Sequence, residues 1–416
     1  MPIVSLNQAD STVEVILAYT STGLGHLRVT NALFEAAPKG YLPRLLKTKD
    51  AGASSLHRFT SIHPLARSFL EWSQNGAPEE FFTRVYRFSL RRGGAQLKEE
   101  LKTLLEQEFK VVKTAVVVAT HFGLAHEIAG AKAELEHELG VKIVLVVCVT
   151  DDSPQKLWYV EGADYIYVPS EQTKQTLLSY GTSAGFAPVE IEVISYPVNP
   201  RLTKKLTEQE WSDRLQQLDP AISERIHISV PISGAAVDLE YLDEVMTNLA
   251  RRDPRFHFYI VCRENMYTAD FIKRMGRRAH VSLITSKHDR EIVRFYTELL
   301  STTVFSLEIT KPSEQAFKAL ITPKRKGGMT LLFSKPVGRQ EYDNLSFLKR
   351  HSLLGTRSFM LPDSAAKAAQ MIMHMYTDKV FLQMTKRKYR TKANETSFLG
   401  AKQFWKKLLP RVFAKI

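Results

Sequence analysis

Cysteine is nearly absent from this chain of 416 residues, with Cys148 and Cys262 as the whole supply. Two such residues make neither a disulfide framework nor a zinc pattern. Both sit in apolar runs, VLVVCVT and YIVCR, where a thiol serves as a small buried hydrophobe. Long hydrophobic runs are missing as well: no stretch approaches the roughly 18 apolar residues of a membrane span. The opening MPIVSLNQADS has neither the basic start nor the apolar core of a secretion signal, so the expectation is a cytoplasmic protein. No RRM or helix-turn-helix signature accompanies the positive net charge, which argues against a nucleic-acid partner. What is present is the composition of a folded globular protein, 44% apolar and 24% charged, and a length that suits two domains with separate cores.

The stretch Val13–Leu33, VEVILAYTSTGLGHLRVTNAL, organises the reading. Its first half is a β-branched, apolar run suited to a strand buried in a parallel sheet, and Thr30, Ala32 and Leu33 follow at helical spacing. Between them lies a loop with Gly23 and Gly25, whose backbone N–H groups can approach an anionic or hydroxylated ligand, and His26 stands where the helix begins. A glycine turn of this kind also joins strand to helix in α/β folds that bind nothing there.

Residues 39–113 mix aromatics with arginines and read as helices and loops beside the sheet, either as core with a solvated face or as a membrane-facing acceptor site. Strands are expected at 115–119, 142–149, 165–168 and 190–194, with helices at 125–139 and 171–180. This alternation implies a doubly wound sheet, whose ligand sites lie at the carboxyl ends of strands. His121 and Asp151 fall at two such ends, as site residues or as caps of a helix or turn. A proline-rich, basic break at 195–205 marks the linker. A second alternating series follows, with strands at 226–232, 256–261, 281–284, 303–306 and 329–333. Two Rossmann-like α/β domains facing a cleft is the architecture implied, with domains at 1–197 and 198–380 and a terminal segment at 381–416.

Four segments then bring a family into view. Pro336–Asn344 resembles the PVPGQEKEN signature of the processive diacylglycerol glucosyltransferases and plant monogalactosyldiacylglycerol synthases, matching at Pro336, Val337, Gln340, Glu341 and Asn344. Thr22–His26 resembles their TGGGH loop, Thr310–Pro312 their TKPGG, and Val149–Asp151 with Tyr165–Glu171 their VTD and DxYFVASE stretches. The group is related to the MurG-type glycosyltransferases of GT-B architecture. The resemblance implies inverting transfer of a hexose from a UDP-sugar to a lipid or other hydrophobic acceptor. In that scheme His26 is the base, Asp151 orients it or shares the role, and His121 lies on the acceptor side. Gly23, Gly25, Ser233, Gly234, Lys311, Pro312, Ser313, Glu314 and Gln315 border the donor, and Gln340, Glu341 and Asn344 hold the hexose. No cofactor is implied, and Asp151-Asp152 is not read as a metal site. The chain departs from the family pattern at Ser313 and Glu314, where relatives have glycines, and at Ala319, where they carry an acid. These departures also permit a second reading, a GT-B-like binding or scaffold protein with a degenerate donor site.

The positive charge is concentrated at the end. Residues 386–416 hold ten basic side chains and one acid, which is +9 of the net +13. From Ala401 onward the apolar residues recur at three and four, giving a basic amphipathic helix interrupted or kinked at Pro410. Such a helix either packs back on the first domain or lies on an anionic membrane surface, making the protein peripheral on the inner face of the membrane.

Overall fold

The computed structural model describes residues 13–20, 24–48, 72, 74, 76–108, 112–313, 315–334, 336, 338–387 and 397–414. They form two compact units. The first holds the described residues up to Asn199 together with Leu399–Ala414, and the second those from Pro200 to Phe398.

In the first unit, β1 (Val13–Thr20), β2 (Arg44–Thr48), β3 (Thr114–Ala119), β4 (Lys142–Cys148), β5 (Tyr165–Val168) and β6 (Glu190–Val193) form one parallel sheet of order β2-β1-β3-β4-β5-β6. The central strands TAVVVA and KIVLVVC are buried on both faces, which is why they carry unbroken apolar runs rather than an alternation. Helices α1 (Leu24–Glu35), α2 (Gly76–Gly93), α3 (Ala95–Glu108), α4 (Phe122–Leu139) and α5 (Glu171–Ser183) connect them. The chain leaves β1 toward β2 and returns on its other side to β3, so the strand order reverses between β1 and β3.

The second unit repeats the plan. Its strands are β7 (Ile226–Pro231), β8 (Phe256–Arg263), β9 (Val281–Ser286), β10 (Leu307–Thr310), β11 (Met329–Leu332) and β12 (Ser358–Met360), in the parallel order β12-β11-β10-β7-β8-β9. Its helices are α6 (Glu208–Gln217), α7 (Leu239–Arg252), α8 (Ala269–Met275), α9 (Asp289–Thr302), α10 (Gln315–Leu320), α11 (Gly338–Arg350), α12 (Ala365–Thr377) and α13 (Val380–Lys386). Here the order reverses between β7 and β10. The α/β class with two Rossmann-like units is therefore as expected.

Three strand assignments need correction, one of them the short edge strand β12, which was not expected. Residues 39–113 were expected to contain no strand, yet β2 pairs with β1 from Arg44 to Thr48. It is an edge strand with Arg44 and Lys47 exposed, so its sequence RLLKT carries no apolar run to find. The strand expected at 303–306 lies instead at Leu307–Thr310. Glu308 hides it by putting a charge in the middle of a buried strand. The carboxylate is accommodated because Lys318 Nζ stands 2.8 Å away and the Tyr296 hydroxyl donates to it at 2.8 Å.

The terminal helix α14 (Gly400–Ala414) runs through Pro410 and belongs to the first unit. Phe404, Trp405, Leu408 and Val412 are buried in the core beside Leu17, Val29, Leu33 and Tyr167, and Trp405 Nε1 donates to Leu33 O at 2.8 Å. Lys407 pairs with Glu192 at 3.1 Å, and Arg411 with Glu190 at 2.8 Å. The apolar face of the tail is thus spent on protein packing, with Lys402 and Lys406 left exposed.

Candidate functional site

In the first unit the carboxyl ends of β3 and β4 meet at His26, the third residue of α1. Its Nδ1 lies 2.8 Å from Thr120 O and 3.0 Å from Thr150 Oγ1. A carbonyl oxygen only accepts, so the ring hydrogen sits on Nδ1 and the lone pair on Nε2. Thr30 braces the same junction: its hydroxyl donates to His26 O at 3.0 Å and lies 2.8 Å from Thr120 Oγ1. Ring packing fixes the imidazole from the side, with His121 edge-on at 4.8 Å and Trp158 at 6.2 Å between centroids. None of the three threonines was expected as a site residue. Thr150 lay within the family-like VTD segment, but only the fold brings it against His26.

His121 caps α4, with Nδ1 accepting from Gly123 N at 3.2 Å, so its hydrogen is on Nε2. Burial, and then the neighbouring His26, hold its pKa well below the usual imidazole value, and the ring stays neutral. It stacks on Phe122 at 4.6 Å, and Phe122 meets Trp158 at 5.5 Å and Tyr86 of α2 at 6.3 Å. An aromatic path therefore runs from the imidazole to α2. Asp151, buried at the end of β4, accepts Ser153 N at 3.1 Å. Asp152 accepts from the Ser170 hydroxyl and, at 2.9 Å, from Thr173 Oγ1, which ties the loop to the cap of α5. Gly25 lies within α1, and Gly23 falls outside the described residues.

In the second unit the expected donor residues gather at the carboxyl ends of β7, β10 and β11. Lys311 leaves β10 buried, and its Nζ stands 3.2 Å from Glu341 Oε1 in the first turn of α11. Pro312 and Ser313 form a turn, and Ser313 O accepts Asn344 Nδ2 at 3.0 Å. Ser334 and Gly338 both take positive φ values, 70° and 69°, where the chain passes from β11 into α11. Gln340 is half-buried beside Glu341. Ser233 and Gly234 follow β7, with Ser233 O accepting Ala236 N at 2.9 Å. Because β7 and β10 are neighbours, this turn and the Lys311 turn flank the reversal of strand order, the usual ligand position in such sheets. The α10 helix that starts at Gln315 is only six residues long. Ala319 within it is fully buried, and its carbonyl accepts Arg357 Nη1 at 3.1 Å. Glu314 and the side chain of Gln315 lie outside the described residues.

No family model matches the chain. The processive diacylglycerol β-glucosyltransferase of Staphylococcus haemolyticus is 20% identical over 220 residues, which cover 52% of this chain and 51% of that protein. The chain thus matches about half the length of this curated relative. Among solved structures, the S. aureus MnaA–UDP co-structure is similar with a TM-score of 0.53 at 10% identity over 97% of each chain. A protein described as a UDP-N-acetylglucosamine 2-epimerase from Listeria monocytogenes gives 0.56 at 10% identity over 98% of each. At such identity the two structures speak for the fold alone. The chain has the two-domain Rossmann-like architecture of GT-B proteins, and its sequence similarity falls within the glycosyltransferase group that its motifs resemble.

Proposed function

We propose that the protein transfers a hexose from a UDP-sugar to a hydroxyl of a lipid or other hydrophobic acceptor, with inversion at the anomeric carbon. The acceptor oxygen attacks C1, the bond from C1 to the diphosphate oxygen breaks, the hydroxyl proton passes to His26 Nε2, and UDP departs. The observation that carries this reading is the tethered imidazole: Nδ1–H given to Thr120 O presets Nε2 as the proton acceptor. Asp151 shapes the loop that presents Thr150. On the donor side, Lys311 and the Ser233-Gly234 and Pro312-Ser313 turns face the diphosphate, while Gln340, Glu341 and Asn344 hold the hexose.

A hydrophobic acceptor is supported by the aromatic path from His26 to α2 and by the outer face of that helix. Phe81, Val85 and Phe88, spaced to share one face, are 65%, 52% and 57% exposed, and Arg92 lies 4.0 Å from the Phe88 ring centroid. Exposed Arg84 stands beside them. An apolar stripe flanked by arginines suits an anionic lipid surface, and it moves the expected membrane contact from the buried tail to α2. Among the described residues no helix is long and apolar enough to cross a membrane.

One specific observation favours the second reading, a binding protein with an abandoned donor site: Lys311 is already ion-paired, and serine and glutamate stand where relatives have glycines. Calorimetry with UDP-sugars, followed by incubation with diacylglycerol vesicles and mass spectrometry of the lipids, separates the two. Transfer that disappears in His26→Ala and in Gln340→Ala supports the enzyme. No binding of any nucleotide sugar at millimolar concentration sinks it, and UDP binding gained in Ser313→Gly/Glu314→Gly would then support the abandoned site.

A further inference from the structure

We infer that Lys311 and Glu341 form an exchangeable pair. Before donor binds, the ammonium neutralises the Glu341 carboxylate; on binding it passes to the diphosphate and releases that carboxylate for the sugar hydroxyls. The inference rests on the donor-site reading above.

Among the described residues the second unit holds two Lys–Glu pairs with both members buried, and they differ in spacing and enclosure. Lys318 and Glu308 are 3% and 1% exposed and lie 2.8 Å apart. Thr310 Oγ1 accepts from Lys318 Nζ at 2.7 Å, and the Tyr296 hydroxyl donates to both Glu308 oxygens. That pair is built between a strand and a helix and is held from several sides, as a structural pair must be. Lys311 and Glu341 are a little farther apart, 3.2 Å, and less enclosed, 6% and 9% exposed. Lys311 sits on a turn at the carboxyl edge of the sheet, beside the reversal of strand order. The turn itself is fixed by Asn344 Nδ2 on Ser313 O, so the backbone stays in place while the flexible lysine stem is able to swing.

Charge dictates the direction of the exchange. The ammonium beside it offsets part of the cost of burying the Glu341 carboxylate. A diphosphate arriving beside an unneutralised Glu341 would be repelled, whereas an ammonium lying between the two anions attracts both. Uridine diphosphate carries more charge than one carboxylate and draws the ammonium toward itself. The carboxylate then accepts hydrogens from the hexose, so a donor with its sugar satisfies both members of the pair and UDP alone satisfies one.

The two single variants therefore act in opposite directions. In calorimetry on the full-length protein, Glu341→Gln removes the competitor for Lys311 and binds UDP about tenfold more tightly than wild type, while its preference for UDP-hexose over UDP shrinks. Lys311→Met binds UDP at least tenfold more weakly. The double variant Lys311→Met/Glu341→Gln regains the melting temperature lost in Lys311→Met but not its UDP affinity, which separates a ligand contact from a fold defect. UDP affinity that falls in both single variants, or is unchanged in Glu341→Gln, overturns the exchange while leaving the donor site standing. UDP bound by neither wild type nor any variant overturns the donor-site reading and the exchange with it.

Discussion

At the scale of single residues, the imidazoles of the first unit divide by their partners. His26 keeps a backbone acceptor on one nitrogen and lies at a strand-end cluster. His126 is sealed in α4, fully buried, with Nε2 3.0 Å from Leu157 O and Nδ1 without a partner among the described residues. Burial, and next the Arg87 guanidinium, lower its pKa to about 3. The unfolded chain takes up a proton there near the ordinary value of about 6.5, and the folded chain does not. Stability is therefore intact above about pH 6.5 and falls continuously as the pH drops toward about 3, by about 2 kcal/mol between pH 7 and pH 5 from this one group. His126→Gln, which keeps a donor for Leu157 O, should remove that share of the acid sensitivity. Urea melts of both proteins at pH 7 and pH 5 measure it, and an equal loss in the two would refute the assignment. The same scale shows why the site was only half visible in the chain. His26, His121 and Asp151 stand out because imidazoles and carboxylates at strand ends are chemically conspicuous. Thr30, Thr120 and Thr150 are ordinary in sequence: Thr30 meets His26 one helical turn along α1, and only the pairing of β3 with β4 brings Thr120 and Thr150 to the same imidazole.

Among the elements, those with unbroken apolar runs were readable and those at edges were not. β3, β4 and β5 are buried on both faces and announce themselves. β2 and β12 lie at sheet edges, one with exposed charges and the other three residues long, so neither has a period to detect. β10 was displaced by four residues because Glu308 interrupts its hydrophobic signature, and its partner Lys318 is ten residues downstream. The amphipathic pattern of α14 was legible, but a pattern does not say whether its apolar face meets lipid or protein. The fold answers that for α14 and leaves α2, among the described helices, with three aromatics turned outward, Phe81, Tyr86 and Phe88. Phe81→Ser/Phe88→Ser should weaken binding to anionic phospholipid vesicles at least tenfold in a sedimentation assay. Its melting temperature should stay close to wild type, because both side chains are more than half exposed. Substituting Lys402 and Lys406 should change vesicle binding far less. The reverse ranking would return the membrane contact to the tail.

For the molecule as a whole, the order of the chain and the order of its cores differ. The first unit's sheet is built before Asn199, but its core also takes in α14, which follows the whole second unit in the chain. Gly400 marks the point of return, where any side chain would collide with backbone: a Cβ there would lie 1.9 Å from Ser195 O. Phe404, Trp405, Leu408 and Val412 each contribute about 2 kcal/mol on burial. Together these four are comparable with the roughly 5–15 kcal/mol that holds an ordinary domain. Ending the chain at Phe398 should therefore abolish folding of the first unit, while the second, whose core includes none of these residues, keeps its own transition. Scanning calorimetry of the full chain should show both transitions and the shortened chain only that of the second unit; two intact transitions would mean that α14 is an accessory. The consequence reaches the membrane question. A tail deletion that loses vesicle binding reports an unfolded first unit, so the contribution of lipid contact is measurable only through surface substitutions on α2 in a protein whose last helix is in place.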